Sequence, residues 1–167
     1  AAYSRNFQLL AGWRDAFNAN KANGLATLHV DNDNRFKSMT VVLGPSAKLL
    51  IESGQNVTML DMTHSKHKWF RGQHVGLVGT DGDNRITLIA WGLCPAENIV
   101  FYKSFFDDIV AWEGGKLKSW MNVEDHVQLS DRFKGIPTAQ QYMFPEMLSK
   151  NCTKHLLGNM RADKSVA

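Results

Sequence analysis

The sequence has little of what marks secreted or membrane-spanning chains. Only two of its 167 residues are cysteine, Cys94 and Cys152, too few for a disulfide framework, which favours a reducing compartment. No stretch approaches the roughly 20 apolar residues of a membrane span. The first six residues lack a signal-peptide pattern, and no internal repeat or low-complexity run appears. A length of 167 residues favours a single domain.

The composition that remains is ordinary. Apolar residues make up 44% and charged residues 21%, as in a soluble domain with a sizeable core. The net charge of +3 permits an anionic partner such as nucleic acid but does not require one.

Periodicity predicts alternating helices and strands. An amphipathic helix is expected over 3–19, strands over 25–30 and 39–43, and a short helix up to Ile51. Asp31–Asn34 reads as a turn, because it lacks the spacing of a calcium loop. The remaining expected elements are strands over 56–61, 75–80 and 85–93, a helix over 95–112, a short helix over 117–121, a strand over 127–130, a helix over 137–144, a strand over 147–153 and a helix from His155.

This order predicts an α/β fold of the ribonuclease-H-like kind. Three strands with short connections form an antiparallel meander, and a helical crossover makes the next two strands parallel to the first. We therefore expect a mixed five-stranded sheet flanked by helices, preceded by an extra N-terminal α/β segment. The expected division is residues 1–55 for that segment and 56–167 for the core.

Two aspartates end strands that this topology makes neighbours, Asp61 and Asp131. Carboxylates that close repel each other unless a cation lies between them, and Mg²⁺ suits oxygen ligands. Two such ions about 4 Å apart activate a water or hydroxyl for phosphodiester chemistry. The alternatives are that Asp131 caps the following helix and that Asp61 binds the turn at Thr63.

Basic residues lie beside both aspartates and are candidates for binding DNA phosphates. They are His64, Lys66, His67, Lys68 and Arg71 after the first strand, with Arg132 and Lys134 after Asp131. The alternative is a solvated loop anchored by Trp69 and Phe70.

Cys152 and His155 have the spacing of half a zinc site. A full site needs two more ligands, so ligand counting favours structural packing of this pair over Zn²⁺.

The sequence of several segments resembles the transposase domain of Mutator-like elements (MULE), which belongs to the DDE superfamily. Met59–His64 is similar to its Asp-Gly-Thr-His start, with Met62 in place of glycine. Glu97, followed by the aromatic residues 101, 105 and 106, resembles its Glu-x-x-x-x-Trp-x-x-Phe helix. The most specific part is Ser-Asp-Arg-x-Lys-Gly at 130–135, followed by Phe144-Pro145, Cys-x-x-His at 152–155 and Asn159.

The resemblance implies metal-dependent DNA cleavage and strand transfer in the nucleus. It makes Asp61 and Asp131 the first two catalytic acids, with Mg²⁺ or Mn²⁺ as cofactor, DNA as partner, and an oligomer in the parent transposase. The third acid, a Glu beyond the Cys-x-x-His segment, is absent from this sequence. We therefore expect weak metal binding without efficient phosphoryl transfer; the alternative is an inactive transposase-derived DNA-binding or regulatory module.

Overall fold

The structure is a computed structural model that describes residues 2–66, 70–131 and 135–153. In chain order its elements are α1 (Ala2–Ala19), β1 (Gly24–Val30), β2 (Phe36–Leu43), α2 (Gly44–Ser53), β3 (Val57–His64), β4 (Gln73–Thr80), β5 (Ile86–Cys94), α3 (Ile99–Ala111), a 3₁₀ turn (Trp112–Gly115), α4 (Lys116–Met121), β6 (Val127–Ser130), α5 (Gly135–Met143) and β7 (Leu148–Asn151). The helix expected from His155 lies outside the described residues.

All strands belong to one mixed sheet in the order β1-β2-β5-β4-β3-β6-β7. Neighbours from β1 to β3 are antiparallel, whereas β3, β6 and β7 run parallel. The predicted meander and the parallel pair after the crossover are confirmed.

The predicted count of five strands was wrong, because the sheet has seven. The hairpin of β1 and β2 joins the sheet through β2, which pairs antiparallel with β5 from Met39↔Leu93 to Val42↔Ala90. This pairing joins residues about 50 positions apart, and local periodicity carries no information on such contacts.

The main core lies on one face of the sheet, beneath α2 to α5. Leu60, Leu77 and Ile89 contribute from the strands, and each is at most 2% exposed. Helix α3 begins after Asn98, whose side chain accepts a hydrogen bond from the amide of Phe101. Its buried side chains face this core and are mainly aromatic: Phe101, Tyr102, Phe105, Phe106 and Ile109.

Helix α1 packs near the other end of the sheet, against β1. Asn18 holds it there, since the side chain of Asn18 accepts from the amide of Ala26 and donates to its carbonyl, both at 2.8 Å. Ala26, Met39 and Val41 form a second, smaller core with Phe17 and other apolar residues. Because adjacent residues of a strand point to opposite faces, this cluster lies on the face away from α3.

The loops of two hairpins share one conformation and one five-residue sequence pattern. Both read Asp-x-Asp-Asn-Arg, at 31–35 and 81–85. In each, Oδ1 of the first aspartate accepts from the amides two and four residues later at 2.8–3.0 Å. Asn34 and Asn84 both have positive φ, which asparagine tolerates well. The turn interpretation of Asp31–Asn34 is confirmed.

Among the described residues, no helix combines the length and apolar character needed to cross a membrane.

Candidate metal and nucleic-acid site

The structure brings the two predicted aspartates to the same level on neighbouring strands. Strands β3 and β6 pair in parallel from Val57↔Val127 to Leu60↔Ser130, and Asp61 and Asp131 follow this last pair. Neighbouring strands lie about 4.8 Å apart. The register therefore places these two residues next to each other at the ends of neighbouring strands.

The aspartates differ in exposure. Asp61 is exposed, and its Oδ1 accepts a hydrogen bond of 2.9 Å from the amide of Met62. Asp131 is half-buried. Leu60 points into the helix-covered core, so the alternation of the strand turns Asp61 to the opposite face. Residues 132–134 are outside the described part, so the capping alternative for Asp131 is open.

A buried tyrosine on α3 lies beside Met62, the residue that follows Asp61. The hydroxyl of Tyr102 donates to Oε1 of Glu97 at 2.7 Å and lies 3.8 Å from Sδ of Met62. Burial raises the pKa of Tyr102 far above its usual value, helped by the bond to Glu97 and then by the charge of Asp131. The first turn of α3 therefore packs on the helix-covered side of the strand end that carries Met62. The sequence predicted no contact between Glu97 and Tyr102, although the two residues have the Glu-x-x-x-x-aromatic spacing.

No group of three or more His, Cys, Asp or Glu residues that could hold a metal occurs within 2–66, 70–131 and 135–153. Two aspartates supply part of a magnesium shell, and waters or substrate oxygens commonly complete it.

The described ends of the basic segment after β3 are joined by a hydrogen bond. The amide of Ser65 donates to the carbonyl of Gly72 at 2.8 Å, and Gln73 Nε2 lies 3.3 Å from Nδ1 of His64. Lys66 and Arg71 are exposed, as a phosphate contact requires. His67 and Lys68 lie outside the described residues, as do Arg132 and Lys134.

Phe70 anchors this loop against the N-terminal hairpin. Its ring meets Phe36 edge to face with centroids 5.9 Å apart. A Cβ at Gly72 would lie 2.2 Å from the Phe70 ring and 2.3 Å from the Cys94 carbonyl oxygen, so only glycine fits there. These contacts support the predicted anchoring of the loop by Phe70. The exposed cations Lys66 and Arg71 remain candidates for contacts to DNA phosphates.

The proposed zinc pair is described only in part. Cys152 is half-buried, and its amide donates to the Ser130 carbonyl at 2.6 Å, while His155 lies outside the described residues. Cys94 is buried, and burial raises its pKa to about 11, which keeps it a neutral thiol at neutral pH.

A protein-family model matches the sequence that forms this site. The model of the MULE transposase domain matches residues 57–159, more than half of the chain. This range includes β3 to β7 and both aspartates. No curated protein matches the sequence.

Proposed function

Because this chain belongs to the MULE transposase family, we propose that it forms part of the catalytic domain of a DNA transposase. In this proposal Asp61 and Asp131 bind Mg²⁺ or Mn²⁺ and are the first two catalytic acids. The observation that carries it is the parallel register of Leu60 with Ser130, which aligns the aspartates that follow.

The strand order supports a ribonuclease-H-like core. Strands β3, β4 and β5 form an antiparallel meander, and β6 and β7 add in parallel on the other side of β3. Strands β1 and β2 extend the sheet beyond β5, so the proposed N-terminal segment, residues 1–55, shares the sheet of the proposed core, residues 56–167.

The proposed chemistry depends on paired negative charge. A bound divalent ion would activate a water or 3′-hydroxyl and stabilise the leaving oxygen of a phosphodiester. Asp61 and Asp131 would orient that ion, and the Tyr102–Glu97 pair would limit the movement of Asp131 on the α3 side.

We propose that catalysis is incomplete in these 167 residues. Glu146 is the only glutamate after Asp131, and it precedes β7 instead of following the Cys-x-x-His segment. Its amide donates to Oδ1 of Asn122, which places it in the turn before that strand. Two acids hold a divalent ion weakly, and the third ligand is needed for efficient strand cleavage.

DNA is the proposed substrate, and the nucleus the proposed location. Lys66 and Arg71, with His64, His67, Lys68, Arg132 and Lys134 nearby in the sequence, would contact phosphates at element ends and target. An oligomer of the parent transposase would hold two ends together. Zinc at Cys152 and His155 is not part of the proposal.

Calorimetric titration with Mn²⁺ tests the metal pair. We expect weak, saturable binding that falls at least about tenfold in both Asp61→Asn and Asp131→Asn, each of which removes a charged ligand. Asp107→Asn, an exposed change on α3, is the matched control and leaves affinity unchanged. Equal binding by all three variants would refute the pair.

A strand-cleavage assay with Mn²⁺ tests incompleteness separately. We expect no efficient cutting by this chain. Robust cutting that Asp61→Ala abolishes would place the third ligand within these residues.

The second candidate is an inactive DNA-binding or regulatory module, favoured by the exposed cations Lys66 and Arg71. It predicts DNA affinity that is the same in Mg²⁺ and in chelator, and unaffected by Asp61→Asn. The enzyme proposal predicts that Mg²⁺ strengthens binding, and that Asp61→Asn removes this gain.

A further inference from the structure

A groove separate from the aspartate pair lies where the β1–β2 hairpin meets the start of α3. It encloses about 190 Å³. Its polar lining comes from both sides: His29, Lys37 and Ser38 from the hairpin, and Asn98 and Ser104 from the helix.

Ser38 gives this groove an unsatisfied donor. The residue is 7% exposed, and its hydroxyl makes no hydrogen bond with any described residue. It is the register partner of His29, whose imidazole points to α3, so both side chains lie on the groove face. The hydroxyl of Ser38 is not one of the fully buried polar atoms and lines the groove, where it can donate to a ligand oxygen.

The charges in the groove favour an anion. Lys37 is exposed and forms no ion pair within the described part of the chain. The groove includes Val100, in the first turn of α3, where backbone N–H groups lack helical partners and the helix dipole is positive. The side chain of Asn98 accepts a hydrogen bond from the amide of Phe101, and its backbone carbonyl accepts one from the amide of Tyr102.

The carboxylate beside His29 is already engaged, and Asp31 and Asp33 lie on the other side of Lys37. Asp108 is 8% exposed on its side chain, and both of its oxygens lie 3.0–3.1 Å from Nε2 of His29. Ser104 Oγ is 3.3 Å from the same nitrogen. These contacts hold the His29 imidazole in place on one side of the groove. Lys37, Ser38 and the N-terminus of α3 then remain to bind a ligand.

We propose that this groove binds one phosphate-type oxyanion. The same turn of α3 carries Asn98 and Val100 at the groove and Tyr102, whose hydroxyl lies 3.8 Å from Sδ of Met62, the residue after Asp61. A DNA strand crossing this end of the sheet would therefore place one phosphate here while another lies at the aspartates. The DNA source rests on the proposed function, whereas the oxyanion site does not.

Titration of the ¹⁵N-labelled chain with inorganic phosphate tests the site. We expect saturable shifts of the Ser38, Ile99 and Val100 amide signals, with affinity about tenfold weaker in Lys37→Gln, since a contact to a charged group is removed. Lys21→Gln, an exposed change in the turn before β1, is the control and retains wild-type affinity. Ser38→Ala preserves the backbone and should also weaken binding. Shifts that stay linear with phosphate, or equal losses in both lysine variants, would overturn the site.

A second titration with a short DNA duplex distinguishes the sources. If DNA supplies the phosphate, the duplex moves the same three signals, and Lys37→Gln weakens duplex binding. If free phosphate is the ligand, the duplex leaves them in place while phosphate still saturates them, which overturns the DNA source alone. If the wild-type chain binds no metal at Asp61 and Asp131, the proposed function is refuted, and the result of the phosphate titration is unaffected.

Discussion

The hydroxyl of Tyr102 donates a 2.7 Å hydrogen bond to Oε1 of Glu97 across the start of α3. Tyr102 is fully buried, and Glu97 is half-buried. The contact gives a physical reason for a glutamate followed five residues later by an aromatic donor. A tryptophan N–H at that position, as in the pattern that the sequence resembles, can donate in the same direction.

Tyr102→Phe is therefore expected to lower the free energy of unfolding by about 1–2 kcal/mol, because Glu97 loses a buried partner. Urea denaturation measures this change. Tyr142→Phe is the matched control, since Tyr142 is 68% exposed, and should change stability by less than about 0.5 kcal/mol. Equal effects would mean that the buried bond contributes nothing.

The order of β3 to β7 could be predicted because each strand has its own apolar pattern and the connection lengths restrict the pairing. The pairing of β2 with β5 could not, since it depends on complementary surfaces such as Val41 against Trp91. Likewise, the topology predicted from the sequence places Asp61 and Asp131 at the same ends of neighbouring strands. The unsatisfied hydroxyl of Ser38 follows only from burial in the assembled fold.

Acid should destabilise the fold through His126, which is fully buried and lies 3.2 Å from Thr58 Oγ1. Burial lowers its pKa from 6.5 to about 4, against weaker opposing effects of Trp120 and Asp125. The unfolded chain therefore binds more protons between these values. The stability contribution is complete above about pH 6.5 and is lost as the pH falls towards 4.

Urea unfolding at about pH 7.5 and about pH 4.5 measures this loss, for which His126 should account for about 2–3 kcal/mol. His126→Gln should reduce the difference between the two pH values by that amount, whatever its effect at neutral pH. His64→Gln, at an exposed position, should leave the difference unchanged. An unaltered difference in His126→Gln would contradict the prediction.

The paired hairpin loops predict a matched set of stability changes. Asp81→Ala removes the acceptor for the amides of Asp83 and Arg85 and should cost about 1–2 kcal/mol. Asp83→Ala removes only an exposed ion pair of 3.5 Å with Arg85 and should cost less than about 0.5 kcal/mol. Thermal or urea unfolding compares the two, and a larger loss for Asp83→Ala would refute this assignment of roles.

The basic loop predicts how DNA affinity depends on salt. Lys66 and Arg71 are exposed beside Asp61, on a loop that Phe70 anchors to Phe36. If each contacts one phosphate, Lys66→Gln or Arg71→Gln should make the slope of log affinity against log salt shallower by about 0.9, through the loss of one released counterion. Fluorescence anisotropy over a salt series measures the slope, with Lys21→Gln as the control for lost net charge. A wild-type slope in both loop variants would remove the loop from the DNA interface, and an equal change in the control would show a dependence on net charge alone.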